Sequence, residues 1–146
     1  MSYPPRSEHW HTCEHAFMQA SVGCVMCGRK DVPRNAHHIV PYHFLVTVGR
    51  PDLECDPRIL ADMCVEHEEE HHLLVGHLGS FESYNPKLME CVEKWRGFNK
   101  LQIQIRDDYR AFVADRPKPL HMWSEDERKV LKAYLDEHYP PLQPSA

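Results

Sequence analysis

The apolar positions of this chain change their spacing twice along its length, from helical to extended and back to helical. Near the N-terminus they recur at helical steps, which predicts a helix that Ser7 caps and that ends near Ala20. The stretch 35–40 is short, becomes apolar toward its end and stops at a proline, as a β-strand does. A turn and the apolar residues after it predict a second strand through Met63. Residues 42–56 are predicted as a long loop with room for a brief turn.

Over residues 87–139 the spacing is helical again and predicts a C-terminal helical extension. Ser124-Glu-Asp-Glu127 has the pattern of a capping box, which opens the last helix and carries it to about His138. Residues 1–6 and 140–146 are predicted as disordered tails. The apolar residues of the long helical face are Leu88, Val92, Trp95, Phe98, Leu101, Ile105, Tyr109 and Phe112.

Two predicted strands among helices indicate an α+β fold. A length of 146 residues with 42% hydrophobic content suffices for one domain with a modest core, which we place over residues 7–86. The chain has no apolar run of about 18 residues, the length of a membrane span, and no apolar stretch near its start that would indicate a secretory signal. We therefore expect a protein that avoids the membrane and works in a reducing cytoplasm.

The formal net charge is −5, and the whole excess lies in one short segment. Residues 1–60 hold six basic and six acidic residues, and residues 81–146 hold eleven of each. Residues 61–80 hold five acidic residues and neither Lys nor Arg. Bound divalent cations would offset this negative charge. Since the sequence has no basic tail, we expect weak non-specific affinity for DNA unless folding gathers dispersed basic residues.

Thiols and imidazoles, the side chains that hold zinc and other transition metals, are concentrated between residues 24 and 77. A CxxC pair followed by glycine has the spacing of a zinc knuckle, and a later cysteine supplies a third ligand. The acidic run 68–70 suits a solvated loop and favours the histidine after it as fourth ligand. Unliganded core thiols and a disulfide are the alternatives. The predicted structural zinc ligands are Cys24, Cys27, Cys64 and His71, with His67 as the alternative fourth ligand.

Four further histidines suit a second, open metal site. Neighbours on a strand point to opposite faces, so His37 and His38 cannot bind one ion in regular extended geometry. His72 and His77 reach a common ion if their helical turn is slightly irregular, which Gly76 permits. Three imidazoles leave coordination positions open, as in a catalytic centre, and the remaining His38 is then the candidate general base for phosphodiester hydrolysis. Ordinary hydrogen-bonded histidines are the alternative.

Taken together, residues 22–86 resemble the HNH endonuclease family, in the variant found in small phage and bacterial members. The resemblance implies a ββα-metal fold around a catalytic divalent ion (Mg2+, Mn2+, Ni2+ or Zn2+), with a structural Zn2+ knuckle alongside. It also implies a DNA endonuclease of a bacterial cell or a phage-infected host, acting on duplex or branched DNA. His38 would be the base, and His37, His72 and His77 the metal ligands. The motifs behind it are Cys24-x2-Cys27, Ala36-His-His-Ile-Val-Pro41, Asp56-Pro57, Met63-Cys64 and His72-x4-His77.

The sequence departs from the family pattern at the asparagine that holds the base in orientation. The matching position here is Ile59, and Asp56 or Asn85 are the candidates to serve instead. A base without its orienting partner loses rate. This departure favours an alternative function, a non-catalytic zinc-stabilised module that binds nucleic acid or protein. A metal-storage or sensor protein is a third possibility, and it would bind more than two ions per chain.

Overall fold

A computed structural model describes residues 5–65, 71–77, 82–95 and 117–141. Within these ranges, helices surround a small antiparallel sheet, so the arrangement is α+β, as the sequence predicts. None of the helices in these ranges is long and apolar enough to cross a bilayer. The helices are α1 (Trp10–Ala20), α2 (Tyr42–Thr47), α3 (Leu88–Trp95) and α4 (Glu125–His138), and the strands are β1 (Arg34–His38) and β2 (Leu60–Cys64). Short 3-10 turns span Pro51–Cys55, Pro57–Ile59 and Leu120–Met122, and a π-helical turn spans His72–Gly76.

The two strands form an antiparallel ladder that fixes the position of the paired histidines. His37 lies opposite Ala61, and His38 lies opposite Leu60. Because successive side chains of a strand point to opposite faces, the two imidazoles leave the sheet on different sides. The register of this one ladder therefore separates the two histidines into two environments.

Two apolar clusters account for most of the core. The first lies between the sheet, the π-helical turn and α3, and includes Met63, Val75 and Leu88. The second packs α2 against α4, and it contains Phe44 and Ile59, both fully buried. Ile59, at the position where the family pattern has asparagine, is thus a core residue that ends the 3-10 turn before β2.

Residues 42–56 were predicted as a long loop, and this prediction is wrong over much of the segment. Tyr42–Thr47 is α2, and Pro51–Cys55 is a 3-10 turn. The helix forms because it buries Phe44 and Leu45 in the second cluster, although its six residues are too few to show a helical period in sequence. Tertiary packing, rather than local propensity, stabilises so short a helix.

The N-terminal segment also differs from its prediction. Helix α1 begins at Trp10, and its N-cap residue His9 makes no side-chain cap; the Ser7 hydroxyl accepts from the His9 amide at 3.3 Å and donates to the carboxylate of Glu54. The Ser7 amide donates to the same carboxylate at 2.9 Å. A disulfide between Cys13 and Cys55, which the sequence analysis did not assign, joins α1 to the first 3-10 turn. This turn therefore holds the start of the chain beside the sheet.

The C-terminal helix follows its prediction. The Ser124 hydroxyl accepts from the Glu127 amide at 3.1 Å, and the Glu127 carboxylate accepts from the Ser124 amide at 3.0 Å, which completes the capping box. Leu88 and Val92 of the predicted apolar face are buried in the first cluster. Residues 96–116 of the predicted extension lie outside the described residues.

Candidate metal centres

The first candidate centre gathers three thiols and one imidazole. Every pair of their ligand atoms lies within 4.8 Å. The His71 Nδ1 atom is 3.1 Å from the sulfur of Cys64 and 3.7 Å from the sulfur of Cys24. Such a Cys3His set in a buried position fits structural zinc. The members are Cys24, Cys27, Cys64 and His71, as predicted, and the alternative ligand His67 lies outside the described residues.

Two glycines shape the knuckle that carries the first pair of thiols. Gly28 has a φ of 75°, and its amide donates to the carbonyl of Cys24 at 2.7 Å, which closes the turn around the sulfurs. Gly23 has a φ of 126°, and a Cβ there would lie 2.6 Å from the carbonyl oxygen of Gly28. The role of Gly28 was predicted from the sequence, whereas the requirement at Gly23 was missed and is the stricter one, because a Cβ at Gly28 would meet nothing within 4 Å.

The electrostatics of the thiols suit a cation. A hydrogen bond from Cys64 lowers the pKa of Cys24 to about 3, although burial opposes the shift. The same hydrogen bond and burial raise the pKa of Cys64. Cys24 is therefore the thiolate of the pair, and it accepts a hydrogen bond from the proton that Cys64 keeps. A zinc ion would replace that proton and neutralise the sulfurs together.

The second candidate centre is the cluster of His37, His72 and His77. Their ligand atoms also lie within 4.8 Å of one another. The ring centroids are 4.9 Å apart for His37 and His72, 4.7 Å for His37 and His77, and 5.0 Å for His72 and His77. The rings meet edge to face, so nitrogen atoms of all three converge. The structure thus brings together the three residues that the sequence predicts as an open site.

A π-helical turn brings His72 and His77 together. On a regular α-helix, residues five apart lie roughly 140° apart around the axis, which would separate the two imidazoles. The wider turn at His72–Gly76 reduces this angle. Gly76 is also needed for space, because a Cβ there would lie 3.1 Å from the ring of His37 and 3.2 Å from the sulfur of Met63.

The imidazoles of the cluster are held in the neutral form that binds metal. Burial lowers the pKa of His37 well below its ordinary value and that of His72 to about 4, and the neighbouring imidazoles add to both shifts. His77 Nδ1 lies 2.7 Å from the carbonyl of Ser83, so Nδ1 carries the proton and Nε2 the lone pair. His37 Nε2 is buried without a hydrogen-bond partner. Such a nitrogen is costly unless it has a ligand.

His38 stands beside this cluster in a different hydrogen-bonding state. Its Nε2 lies 2.7 Å from the carbonyl oxygen of Glu54 and must donate to it, so the lone pair is on Nδ1. Nδ1 accepts from the guanidinium of Arg6 at 3.0 Å. The ring stacks on Trp10 with centroids 4.8 Å apart. Burial, with the charge of Arg6, lowers the pKa of His38 to about 4.

A cavity of about 440 Å³ connects the cluster with His38. His43 of α2 also lines it, and burial, with the neighbouring His77 imidazole and the charge of Arg6, lowers its pKa to about 4. The cavity is therefore bordered by neutral imidazoles, the guanidinium of Arg6 and the carboxylate of Glu14, and it is large enough for a phosphate group with its flanking atoms. The residues that line the cavity include Arg6, Trp10, His37, His38, Tyr42 and His43.

The two predicted orienting residues serve other elements. Asp56 accepts from the amide and the guanidinium of Arg58, at 2.9 Å and 3.0 Å, and caps the 3-10 turn. Asn85 donates to the carbonyl of Val75 at 3.0 Å, and so braces the π-helical turn. The backbone of Glu54 orients His38 instead.

Three contributors to the site were missed by sequence reasoning. A backbone carbonyl such as that of Glu54 leaves no signal in sequence, because every residue carries one. Arg6 was assigned to a disordered tail, yet its guanidinium contacts two aromatic rings and an imidazole. Trp10 lies in the predicted N-terminal helix without a predicted part in the site, and its ring supports His38. In the sequence, only the aromatic residues close to Arg6 would have indicated that its guanidinium contacts aromatic rings.

Comparison of the chain with protein-family models, with curated proteins and with solved structures finds no match in any of the three. The Cys3His cluster and the imidazole cluster therefore define the candidate centres through their own geometry.

Proposed function

We propose that the protein is a metal-dependent DNA endonuclease of the HNH type, which hydrolyses phosphodiester bonds. One observation carries the proposal. The open cluster of His37, His72 and His77 shares a cavity with His38, whose lone-pair nitrogen contacts Arg6, another residue that lines this cavity. A metal site with open positions next to a neutral imidazole is the arrangement that metal-assisted hydrolysis needs.

Each residue of the proposed centre has a defined part. The cluster of His37, His72 and His77 would hold a divalent ion, which supplies charge stabilisation for the phosphate and the leaving oxygen. His38 is neutral near pH 7 because burial lowers its pKa to about 4, and Nδ1 takes the proton of the attacking water. The Glu54 carbonyl accepts from Nε2–H throughout, so it keeps the tautomer and stabilises the imidazolium that forms.

The bond between His38 and Glu54 also bears on the missing asparagine. The family pattern assigns an asparagine to orient the base, and this chain has the buried Ile59 there. A backbone carbonyl at 2.7 Å performs the same orientation. The proposed activity therefore does not depend on an amide side chain at position 59.

A plasmid-nicking assay tests the proposal. Zinc-loaded protein, freed of weakly bound ions, is given Mg2+, Mn2+, Ni2+ or Zn2+ with supercoiled DNA, and we expect nicking with at least one of them. Replacing the base in His38→Gln should slow nicking by roughly 100- to 10,000-fold. The matched control His121→Gln changes an exposed histidine outside the cavity and should cleave normally. Zinc content should be unchanged in both variants.

A folded wild-type protein that nicks DNA with none of these ions would exclude the endonuclease. The second candidate function would then apply, a zinc-stabilised module that binds nucleic acid or protein. Two observations favour it, the apolar Ile59 in the core and the contact of Arg6 with the lone pair of His38. Such a module binds a DNA duplex or branched junction without cleaving it.

A further inference from the structure

The guanidinium of Arg6 lies in the cavity next to the proposed base. It is 4.9 Å from the ring centroid of Trp10 and 4.9 Å from that of Tyr42, and these contacts fix its plane. Its Nη1 atom donates to Nδ1 of His38 at 3.0 Å. Arg6 therefore sits against the nitrogen that the proposed mechanism needs for the proton of water.

This guanidinium carries a charge that its surroundings balance poorly. Desolvation lowers the pKa of Arg6, and Glu54 and Glu14 act on it only as more distant opposing charges. The carboxylate of Glu54 is instead hydrogen-bonded by the amide and hydroxyl of Ser7. Among residues 5–65, 71–77, 82–95 and 117–141, no carboxylate oxygen lies within 4.0 Å of the guanidinium. Arg6 is an exposed residue of the cavity wall, and a guanidinium without an ion pair there can bind an anionic ligand.

We propose that Arg6 binds the substrate phosphodiester, and that its hydrogen bond to His38 is exchanged for the phosphate when substrate enters the cavity. The inference rests on the proposed endonuclease function and identifies a group that recognises the phosphate. A guanidinium donates several N–H groups in a plane that matches phosphate oxygens, and a charged acceptor makes a stronger bond than a neutral imidazole. The anion therefore competes successfully with His38 Nδ1.

The exchange would couple recognition to chemistry. Without substrate, Arg6 occupies the lone pair of His38, and water cannot transfer its proton there. Once the phosphate holds the guanidinium, Nδ1 becomes accessible to the attacking water, while Nε2–H stays on the carbonyl of Glu54. The base would act only when a phosphodiester is present, which restricts the reaction to productive complexes.

Nuclear magnetic resonance of the side chains tests the exchange without cleavage. The probes are inorganic phosphate and a short DNA duplex, added to zinc-loaded protein without any other divalent ion. We expect the Arg6 Nε–H signal and the His38 ring nitrogen signals to shift together along one titration curve. An unchanged Arg6 signal at saturating duplex would overturn the proposal, and so would an Arg6 shift that leaves His38 unaffected.

Substitution supplies the second measurement. Arg6→Gln should weaken duplex binding and raise KM by roughly 10- to 100-fold, the value of one charge-assisted hydrogen bond. Arg6→Lys should restore part of the loss because it keeps the charge. The control Lys30→Gln removes one exposed positive charge outside the cavity and should change binding less than about twofold. Thermal unfolding and zinc content show that each variant is folded.

These outcomes separate the inference from the proposed function. Nicking by the wild type together with an unchanged KM in Arg6→Gln would overturn the role of Arg6 and leave the endonuclease intact. Duplex binding that depends on Arg6, without nicking under any metal, would reject the endonuclease while supporting Arg6 as the phosphate ligand.

Discussion

At the scale of single residues, the surroundings of each histidine decide its chemistry. His37 and His38 are adjacent and chemically identical, yet one has a buried nitrogen without a hydrogen-bond partner and the other has both nitrogens engaged. A carbonyl acceptor fixes the tautomer of His38 and another fixes that of His77. The residue type indicates metal or base chemistry, whereas the hydrogen-bond partners distinguish the two residues for which we propose these roles.

The buried imidazoles predict a pH-dependent stability. Burial lowers the pKa of His72 to about 4, so between its ordinary value of 6.5 and about 4 the unfolded chain binds more protons than the folded protein. Stability contributed by this neutral imidazole is therefore complete above pH 6.5 and is lost as the pH falls toward 4. When the pH falls from about 7 to about 5, the free energy of unfolding should decrease in both proteins. The decrease should be about 2 kcal/mol smaller in His72→Gln than in the wild type.

Urea denaturation at the two pH values measures this difference in protein freed of ions at the imidazole cluster. Loss of zinc from the thiols at low pH affects both proteins alike and cancels in the comparison. Exposed His121, replaced by glutamine, is the control and should follow the wild type. An equal pH dependence in His72→Gln and wild type would contradict the prediction.

At the scale of elements, the π-helical turn decides whether a metal cluster exists. His72–Gly76 places His72 and His77 next to each other, and Asn85 braces the turn through the carbonyl of Val75. The backbone N–H of Asn85 also donates to the carbonyl of Gly76 at 2.8 Å. An α-helix of the same sequence would bring different residues to the cavity.

Gly76→Ala tests this element. The added Cβ would approach the ring of His37 to 3.1 Å, so the imidazole or the turn must shift. We expect at least tenfold weaker binding of Ni2+ at the cluster, because outer contacts that orient metal ligands have effects of about that size. Calorimetric titration of zinc-loaded protein measures it. Leu73→Ala, in the same turn, is the control, and Ni2+ affinity equal to wild type in Gly76→Ala would show that the close contact is unimportant.

The sequence predicts the elements with strong local signals and fails where packing decides. The CxxC knuckle, the strand with two histidines and the Ser124 capping box each depend on nearby residues, and the structure has all of them. Helix α2 was missed because its stability comes from burial in a cluster that includes Leu131 and Leu135, far along the chain. The bond from His38 to the Glu54 backbone was missed because side-chain identity does not encode it.

At the scale of the whole molecule, the two candidate centres share one structural unit. His71 belongs to the thiol centre, and its neighbour His72 belongs to the imidazole cluster. Cys64 and His37 likewise lie on the paired strands β2 and β1. An ion in the thiol centre therefore holds the start of the π-helical turn and, through it, the second centre.

This coupling predicts that the imidazole cluster needs the zinc. Cys27→Ser removes a thiol ligand that is outside the imidazole cluster and should weaken zinc binding. We expect Ni2+ affinity at the imidazole cluster to fall by about tenfold or more in the zinc-depleted variant. The reason is that the ion no longer holds the start of the π-helical turn, which positions His72. Titration of the variant against zinc-loaded wild type, with circular dichroism to follow the fold, provides the measurement. Unaltered Ni2+ affinity after zinc loss would mean that the two centres are independent.

The pairing of β1 with β2 decides which side of the sheet each of the two histidines faces. His37 pairs with Ala61 and His38 pairs with Leu60, so the two histidines occupy successive positions of the ladder and face opposite sides of the sheet. A shift of the pairing by one residue would exchange the sides of the proposed metal ligand and the proposed base, whereas a shift by two would return each to its own side. Insertions and deletions between the strands are therefore constrained less by their length than by whether they shift the pairing by an odd or an even number of residues.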